Sequence, residues 1–338
     1  MRNTPPEEYV LVEEANELAF IAACLHRAGA REEEAQAAAR LITNCDLRSV
    51  RSHGINRAPG YCRDLKEGRL NPEPNVQVAI DTPSSVVVDG DGGLGYVPML
   101  QATAQAITKA RDSGGIGLGI ARHIGHYGAA GHYTRICAEQ GCVGFSVQGG
   151  SGYGGRRNAP HQKQSVAFTG APAMSFALPG GRQCNIVLDM VAHALSEYRG
   201  EEFADLPERV PGAFFKSVGL VATAHLMGGG LTGAMLPAAR EMAARWVRAR
   251  HGGTVVAIHP GAIGVPVDAL QREVDEYVER IKENYAPLPG FDVVLLPGEK
   301  EARSEVAYRS DGIRFGAREQ EAAREMSEYL GIPLPWSE

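Results

Sequence analysis

No stretch of the 338-residue sequence approaches 18 uninterrupted apolar residues, the length a membrane-spanning helix requires, so no membrane span is expected. The opening MRNTPPEEYV lacks the apolar core of a secretory signal. Basic residues are not in excess: 34 Lys and Arg face 40 Asp and Glu, a formal net charge of -6. Binding a phosphate backbone needs a basic face, so nucleic acid is not an expected partner. Anionic small molecules stay open, because single arginines meet them. Cysteine is scarce and scattered (Cys24, Cys45, Cys62, Cys137, Cys142, Cys184), with no Cys-x-x-Cys pair. In a chain this long without a signal, these read as reduced thiols of a cytoplasmic protein, and no metal site is expected. Internal repeats and low-complexity tails are missing too.

What is present is an ordinary globular composition, 44% hydrophobic and 22% charged, long enough for two or three lobes. Helical spacing of Leu18, Ile21 and Leu25, then of Ala35, Ala38, Ala39 and Ile42, predicts helices over 12–28 and 31–47. Glu32, Glu33 and Glu34 load the first turn of the second, where the helix dipole favours negative charge. Further helices are expected over 97–112, 129–140, 217–228, 237–250, 266–284 and 317–330. Strands are expected over 85–88, 116–120, 143–147, 173–178, 185–189, 254–258 and 292–296, and 150–165 reads as an exposed loop. Helices and strands alternate, so the fold class is α/β or α+β.

Gly90-Asp91-Gly92-Gly93-Leu94-Gly95 is a literal GxGxxG between a strand and a helix, where a dinucleotide fingerprint would sit. That fingerprint also wants an acid at the end of the following strand, about 20 residues on. Asp112 has the rough spacing but closes the helix, and Arg122 and His123 occupy the strand's end. A tight structural turn is the favoured reading. Two other segments concentrate reactive side chains: Ser52 to Tyr61, with His53 and Arg57, and His123 to Gly128, with His126. Histidine titrates near neutrality and suits proton transfer, and arginine presents a planar fork to a carboxylate. Either histidine taken alone is more often a satisfied structural residue.

The run DLRSVRSHGINRAPGY (Asp46 to Tyr61) resembles the DxRGxxSHGxxRxPxY signature of the malate/L-lactate dehydrogenase family, which lacks a Rossmann domain. VVVDGDGGLGYV is similar to the family's VDGDxGxG turn, ARHIGHYGAAGHY to its SNHFGAAGYY, and FTGAPAMSFALP to its GTNPxxFAxP. VLDM, PGAFFKSVGL and PGEKE follow in the expected order, so the resemblance covers nearly the whole chain. Ureidoglycolate dehydrogenase, diketogulonate reductase and cyclic imino acid reductases are members.

The resemblance implies a non-Rossmann fold with a mixed central sheet and a lobe built from N- and C-terminal helices. The expected division is 1–75, a helical segment carrying the SHGxxR motif; 76–250, the central sheet domain; and 251–338, a segment packing on the N-terminal lobe. The implied reaction is NAD(P)-dependent hydride transfer at C2 of a small 2-oxo acid, 2-hydroxy acid or cyclic imino carboxylate, in a homodimer with its site near the subunit interface. Carried over, His126 is the general acid/base, with His53 competing for that role. Ser52 and Tyr61 hydrogen-bond the substrate and Arg57 clamps its carboxylate. Gly170, Asp189, Met190, Lys216, Gly298 and Glu299 contact NADH or NADPH. Departures fall mostly on the cofactor half: GTNP reads Gly170-Ala171-Pro172-Ala173, Val191-Ala192-His193 follow LDM, and the stretch from Met190 to Lys216 is short. Arg156, Arg157 and Lys163 are candidate replacements for lost phosphate contacts. An alternative therefore stands beside the first reading: an acid/base enzyme (lyase, isomerase or cyclase) on the same scaffold without the nucleotide.

Overall fold

The computed structural model describes residues 5–151, 171–195 and 204–337. A short strand β1 (Val10–Val12) leads into α1 (Glu14–Arg27) and α2 (Glu32–Leu47), and α3 (Ala58–Lys66) follows an irregular loop. α3 starts Ala58-Pro59-Gly60, a run that reads as a loop. Proline is harmless there because first-turn N–H groups have no partner inside the helix. The middle of the chain supplies β2 (Gln77–Asp81), β3 (Ser85–Asp89), α4 (Tyr96–Asp112), β4 (Ile116–Ile124), α5 (Gly131–Glu139) and β5 (Val143–Gly150). Then come β6 (Ala173–Leu178), β7 (Ile186–Val191), α6 (Pro211–His225), α7 (Pro237–Arg245) and β8 (His251–Ile258). The chain closes with α8 (Val267–Asn284), α9 (Glu299–Asp311), β9 (Ile313–Phe315) and α10 (Ala317–Leu330).

Seven strands form one mixed sheet in the order β2-β3-β4-β8-β5-β6-β7. Only β3 and β4 run parallel, joined through α4; the other neighbours pair antiparallel. A doubly wound nucleotide fold needs a mostly parallel sheet, and this is not one. β8, which starts at the expected 250/251 boundary, lies between β4 and β5, so the sheet draws on both sides of it. Under the sheet, α4 and α5 bury Val86, Val88, Met99, Ile124, Tyr127 and Tyr133. A side chain at Gly117 or Gly119 would meet α4 carbonyl oxygens at 1.8 and 2.3 Å, so these glycines set how closely α4 packs.

A second core joins the two ends of the chain. Phe20, Ile21, Leu25, Ile42 and Ile55 pack with Phe315, Met326 and Leu330. β1 pairs antiparallel with β9, Val10 opposite Phe315, which stitches the ends together. This is the helical lobe drawn from both termini.

Several expected boundaries move. The segment 292–296 forms no strand: it follows Pro287-Leu288-Pro289-Gly290, finds no partner edge, and Leu295 and Leu296 turn instead to a cavity wall. The helix expected over 237–250 stops at Arg245, because Trp246 takes an extended conformation, and the strand expected from 254 already starts at His251. α6 starts six residues early, with Pro211 in its first turn, and runs into a π-turn at Leu226–Gly230. Most of the expected loop at 150–165, with Arg156, Arg157 and Lys163, lies outside the described residues. No helix among the described residues is long and apolar enough to cross a membrane.

Candidate active site

The loop after α2 is held from below and from the side. The Ile55 N–H donates to the Asp46 carboxylate at 2.5 Å. A side chain at Gly54 would fall 1.9–2.2 Å from that carboxylate, so only glycine lets the backbone rest on it. Ser49, where the family signature has glycine, takes φ 57, the left-handed region that glycine favours. From α10, Glu319 accepts from Arg51 Nε at 2.9 Å and from Asn56 Nδ2. These contacts fix Ser52, His53 and Arg57, which the intervening turn presents.

His126 sits just beyond β4. The Gly128 backbone N–H points at its Nδ1, 3.1 Å away. A backbone N–H can only donate, so Nδ1 is an acceptor and the neutral ring carries its proton on Nε2. The Tyr61 hydroxyl then donates to the same Nδ1 at 2.7 Å, and the Tyr96 hydroxyl stands behind it, 3.3 Å from the Tyr61 oxygen. The His53 and His126 rings lie nearly parallel with centroids 5.6 Å apart, and His53 Nδ1 is 3.0 Å from Ser52 Oγ. His123, the other histidine of this motif, bonds Asp89 at 2.9 Å instead.

Ser52, Arg57, Tyr61 and His126 line one cavity of about 750 Å³, between α3, the start of β8 and α10. Burial, helped by Arg57, pushes the His53 pKa down to about 4. Burial also holds His126 well below the ordinary histidine range, with His53, Arg57 and His251 adding to the effect. Both rings are therefore neutral at pH 7. Burial pushes the Tyr61 hydroxyl upward while Arg57 opposes it. Arg51, Arg63 and Arg248 are engaged by Glu319, Glu325 and Asp64, whereas Arg57 and Arg318 form no ion pair among the described residues.

Two lining groups carry no signal in the sequence motifs. His251 opens β8 opposite Ile124 and Gly150, and its Nδ1 is buried without a hydrogen-bond partner. Arg318 comes from the start of α10, and Tyr96 backs Tyr61 from α4. The early start of β8 hid His251, since it fell beyond the end of an expected helix.

The residues expected at the cofactor divide. Asp189 and Gly298 line a second cavity of about 710 Å³, together with Arg48, Arg135, Gln183 and Asn185. The buried Nε–H groups of Arg48 and Arg135 lack partners, and the amides and carboxylate are the acceptors and donors that ribose hydroxyls need. That set suits the ribose hydroxyls of a nucleotide; Glu139, Glu301 and Glu305 line the same cavity, and Glu305 already pairs with Arg48. Arg48 and Val50 line this second cavity and Arg51 and Ser52 the first, so one loop serves as a wall for both. Met190 packs near Val147 and Val221 rather than on either cavity. Glu299 is buried behind the second cavity, paired with Lys282 and accepting from the Leu296 N–H at 2.7 Å. Lys216 is exposed on α6 and lines neither cavity. Gly170 lies outside the described residues.

The glycine-rich run is a tight turn filled by the protein itself. A side chain at Gly92 would meet Trp246 at 2.3 Å, and one at Gly93 would meet Pro74 at 2.6 Å, leaving no room for a phosphate.

The family described as malate/L-lactate dehydrogenase matches residues 12–200. The chain is 26% identical to L-sulfolactate dehydrogenase of Methanocaldococcus jannaschii, over 96% of this chain and 98% of that one. It is 25% identical to malate/(S)-sulfolactate dehydrogenase of Methanothermus fervidus, over 97% of this chain and all of the other (100%). The solved structure of malate dehydrogenase from Pyrococcus horikoshii superposes with a TM-score of 0.82 at 24% identity, covering 98% of each chain.

Proposed function

The chain belongs to the malate/L-lactate dehydrogenase family, and on that premise we propose that it is an NAD(P)-dependent oxidoreductase acting at C2 of a small 2-oxo acid, 2-hydroxy acid or cyclic imino carboxylate. The observation that carries this reading is the His126 ring, fixed in one tautomer and opening on the same cavity as Arg57.

In this reading the substrate carboxylate sits on the Arg57 fork, with Ser52 and Tyr61 as hydrogen-bonding neighbours that orient C2. The nicotinamide nucleotide, when bound, supplies or accepts the hydride. As charge grows on the C2 oxygen during reduction, His126 Nε2–H donates its proton there and solvent in the cavity reprotonates Nε2, while Nδ1 stays the acceptor of the Gly128 N–H and the Tyr61 hydroxyl. The ring thus ends neutral. Tyr61 keeps its proton throughout, as its burial favours, with the Tyr96 hydroxyl behind it. Oxidation runs the same steps backwards. His53, on Ser52, is the competing proton carrier. Asp189 and Gly298 would hold the nucleotide at the second cavity, with Met190, Lys216, Glu299 and Gly170 as the remaining expected contacts. Arg318, like Arg57, is a cation without an ion pair, which favours a substrate bearing a second anionic group, as malate and sulfolactate do. A homodimer in the cytoplasm belongs to the same proposal; exposed Phe215, Leu226, Leu231 and Leu236 offer it an apolar face.

Titrating the protein with NADH and NADPH by fluorescence, then assaying a panel of 2-oxo and imino acids, tests the reading. Micromolar binding of either nucleotide is expected. His126→Ala should lower kcat by about 10²–10⁴-fold at unchanged nucleotide affinity. No binding at millimolar nucleotide overturns the proposal and favours cofactor-free acid/base chemistry around His53, Arg57 and His126.

A further inference from the structure

Beneath the Ser52-His53-Gly54 turn lies a group of carboxyls remote from substrate: Glu17 on α1, Asp46 on α2 and Glu319 on α10, with 0%, 3% and 1% of their surface exposed. They face one cation, Arg51, which is committed to Glu319. Glu14 is a further negative charge nearby, paired with Arg309. Were all three buried groups ionised, the box would hold two uncompensated negative charges, and a low-dielectric interior does not sustain them. Asp46 receives the Ile55 N–H and Glu319 receives Arg51, Asn56 and the Gly316 N–H, so both have donors that reward the charged form. Glu17 has none: its two oxygens are buried and, counted as a carboxylate, meet no donor. Its neighbour within hydrogen-bond reach is Asp46.

We propose that Glu17 is a positioning residue that keeps its proton, donates it to the Asp46 carboxylate, and thereby sets Asp46 to hold the Ile55 N–H and the turn carrying Ser52, His53 and Arg57. Burial, and after it the neighbouring carboxyls of Asp46, Glu14 and Glu319, hold the Glu17 proton far above the usual carboxylate range, and burial lifts Asp46 to about 7 in the pair. Between the ordinary carboxylate range and about pH 7 Asp46 also takes up a proton in the folded chain, and above that the proton on Glu17 is the one that remains, so the folded chain binds more protons than the unfolded one. The stabilisation is therefore complete at acid pH and declines as pH rises through neutrality. Loss of the proton would set two buried anions against each other directly under the turn.

The inference about function rests on the reading above, but the placement of the turn is testable without it. Hydrogen exchange of the peptide spanning Arg48 to Arg57, corrected for the intrinsic pH dependence of exchange, reads the Ile55 amide in Glu17→Gln and Glu17→Met. The glutamine keeps a donor toward Asp46 and should leave protection near that of the parent while removing its decline at alkaline pH. The methionine, of similar shape without a donor, should speed exchange of that peptide at least tenfold. In the 2-oxo acid assay it should raise KM at least tenfold with little change in kcat. If Glu17→Met protects the turn as well as the parent does, or Glu17→Gln exposes it as much as methionine, the proposal falls. Should methionine prevent folding, the glutamine variant and the parent's own alkaline loss of protection still decide it. Absence of activity with every 2-oxo acid, combined with the expected exchange pattern, would refute the dehydrogenase reading and leave this one standing.

Discussion

Substituting Gly54 with alanine tests how tightly the turn is bound to the lobe beneath it. The added carbon would lie 1.9 Å from Asp46 Oδ1 and 2.1 Å from Cγ, well inside van der Waals contact, with a buried carboxyl that has nowhere to retreat. Forcing an extra carbon into a packed interior costs about 1–3 kcal/mol. Driving Asp46 off the Ile55 N–H costs a further ~1–3 kcal/mol for the unpaired buried groups. Urea denaturation should therefore show Gly54→Ala destabilised by about 2–6 kcal/mol, with the slope unchanged. A double-mutant cycle identifies the cause. In an Asp46→Ala background the clash has no partner, so the added cost of Gly54→Ala should fall below about 1 kcal/mol, a coupling of several kcal/mol. A single-variant cost under about 0.5 kcal/mol, or additivity in the cycle, would refute the reasoning.

Other outcomes follow from the same geometry. Gly92→Ala combines φ +80 with contact on Trp246 at 2.3 Å, so it should destabilise by about 2 kcal/mol or more while leaving NADH affinity unchanged; a selective loss of nucleotide binding would revive the fingerprint reading. The His53 and His251 pKa values are lowered from 6.5 to about 4, so the folded chain binds fewer protons than the unfolded one between these values. Their stabilising contribution is complete above pH 6.5 and is lost as pH falls toward 4; a His53→Gln, His251→Gln double variant should show a flatter loss of urea midpoint across that interval. Arg318→Ala should raise KM for 2-oxo dicarboxylates about tenfold or more while sparing monocarboxylates, as initial rates on paired substrates would show.

Much of this was readable from residue order, and the reasons it was are as instructive as the exceptions. Periodic apolar residues placed α1, α2, α4 and α10 within a few positions, because each buries one continuous face. The short runs at β1 and β9 carry too few residues for a pattern; they are strands only because the two chain ends meet. The segment 292–296 erred the other way, with strand-forming residues and no edge to join. In the site, Ser52, Arg57, Tyr61 and His126, which the family resemblance had singled out, line one cavity, while His53 is not among its lining residues. Asp189 and Gly298 also share a cavity, whereas Lys216 and Met190 stand apart from it. His251 was invisible because its contribution depends on β8 crossing between β4 and β5, a fact of topology with no local signature.

The grip of Glu319 on Arg51 and Asn56 has a temporal meaning as well. Residues 51 and 319 are separated by most of the polypeptide, so a ribosome must deliver nearly the entire chain before the turn bearing His53 can be locked. The growing chain can bury Val86 and Val88 against α4 long before that, but it has no finished substrate pocket to offer a metabolite. Ligand-assisted folding can act only once α10 has been made. A premature stop that removes α10 should leave a product whose central sheet is intact and whose pocket stands open.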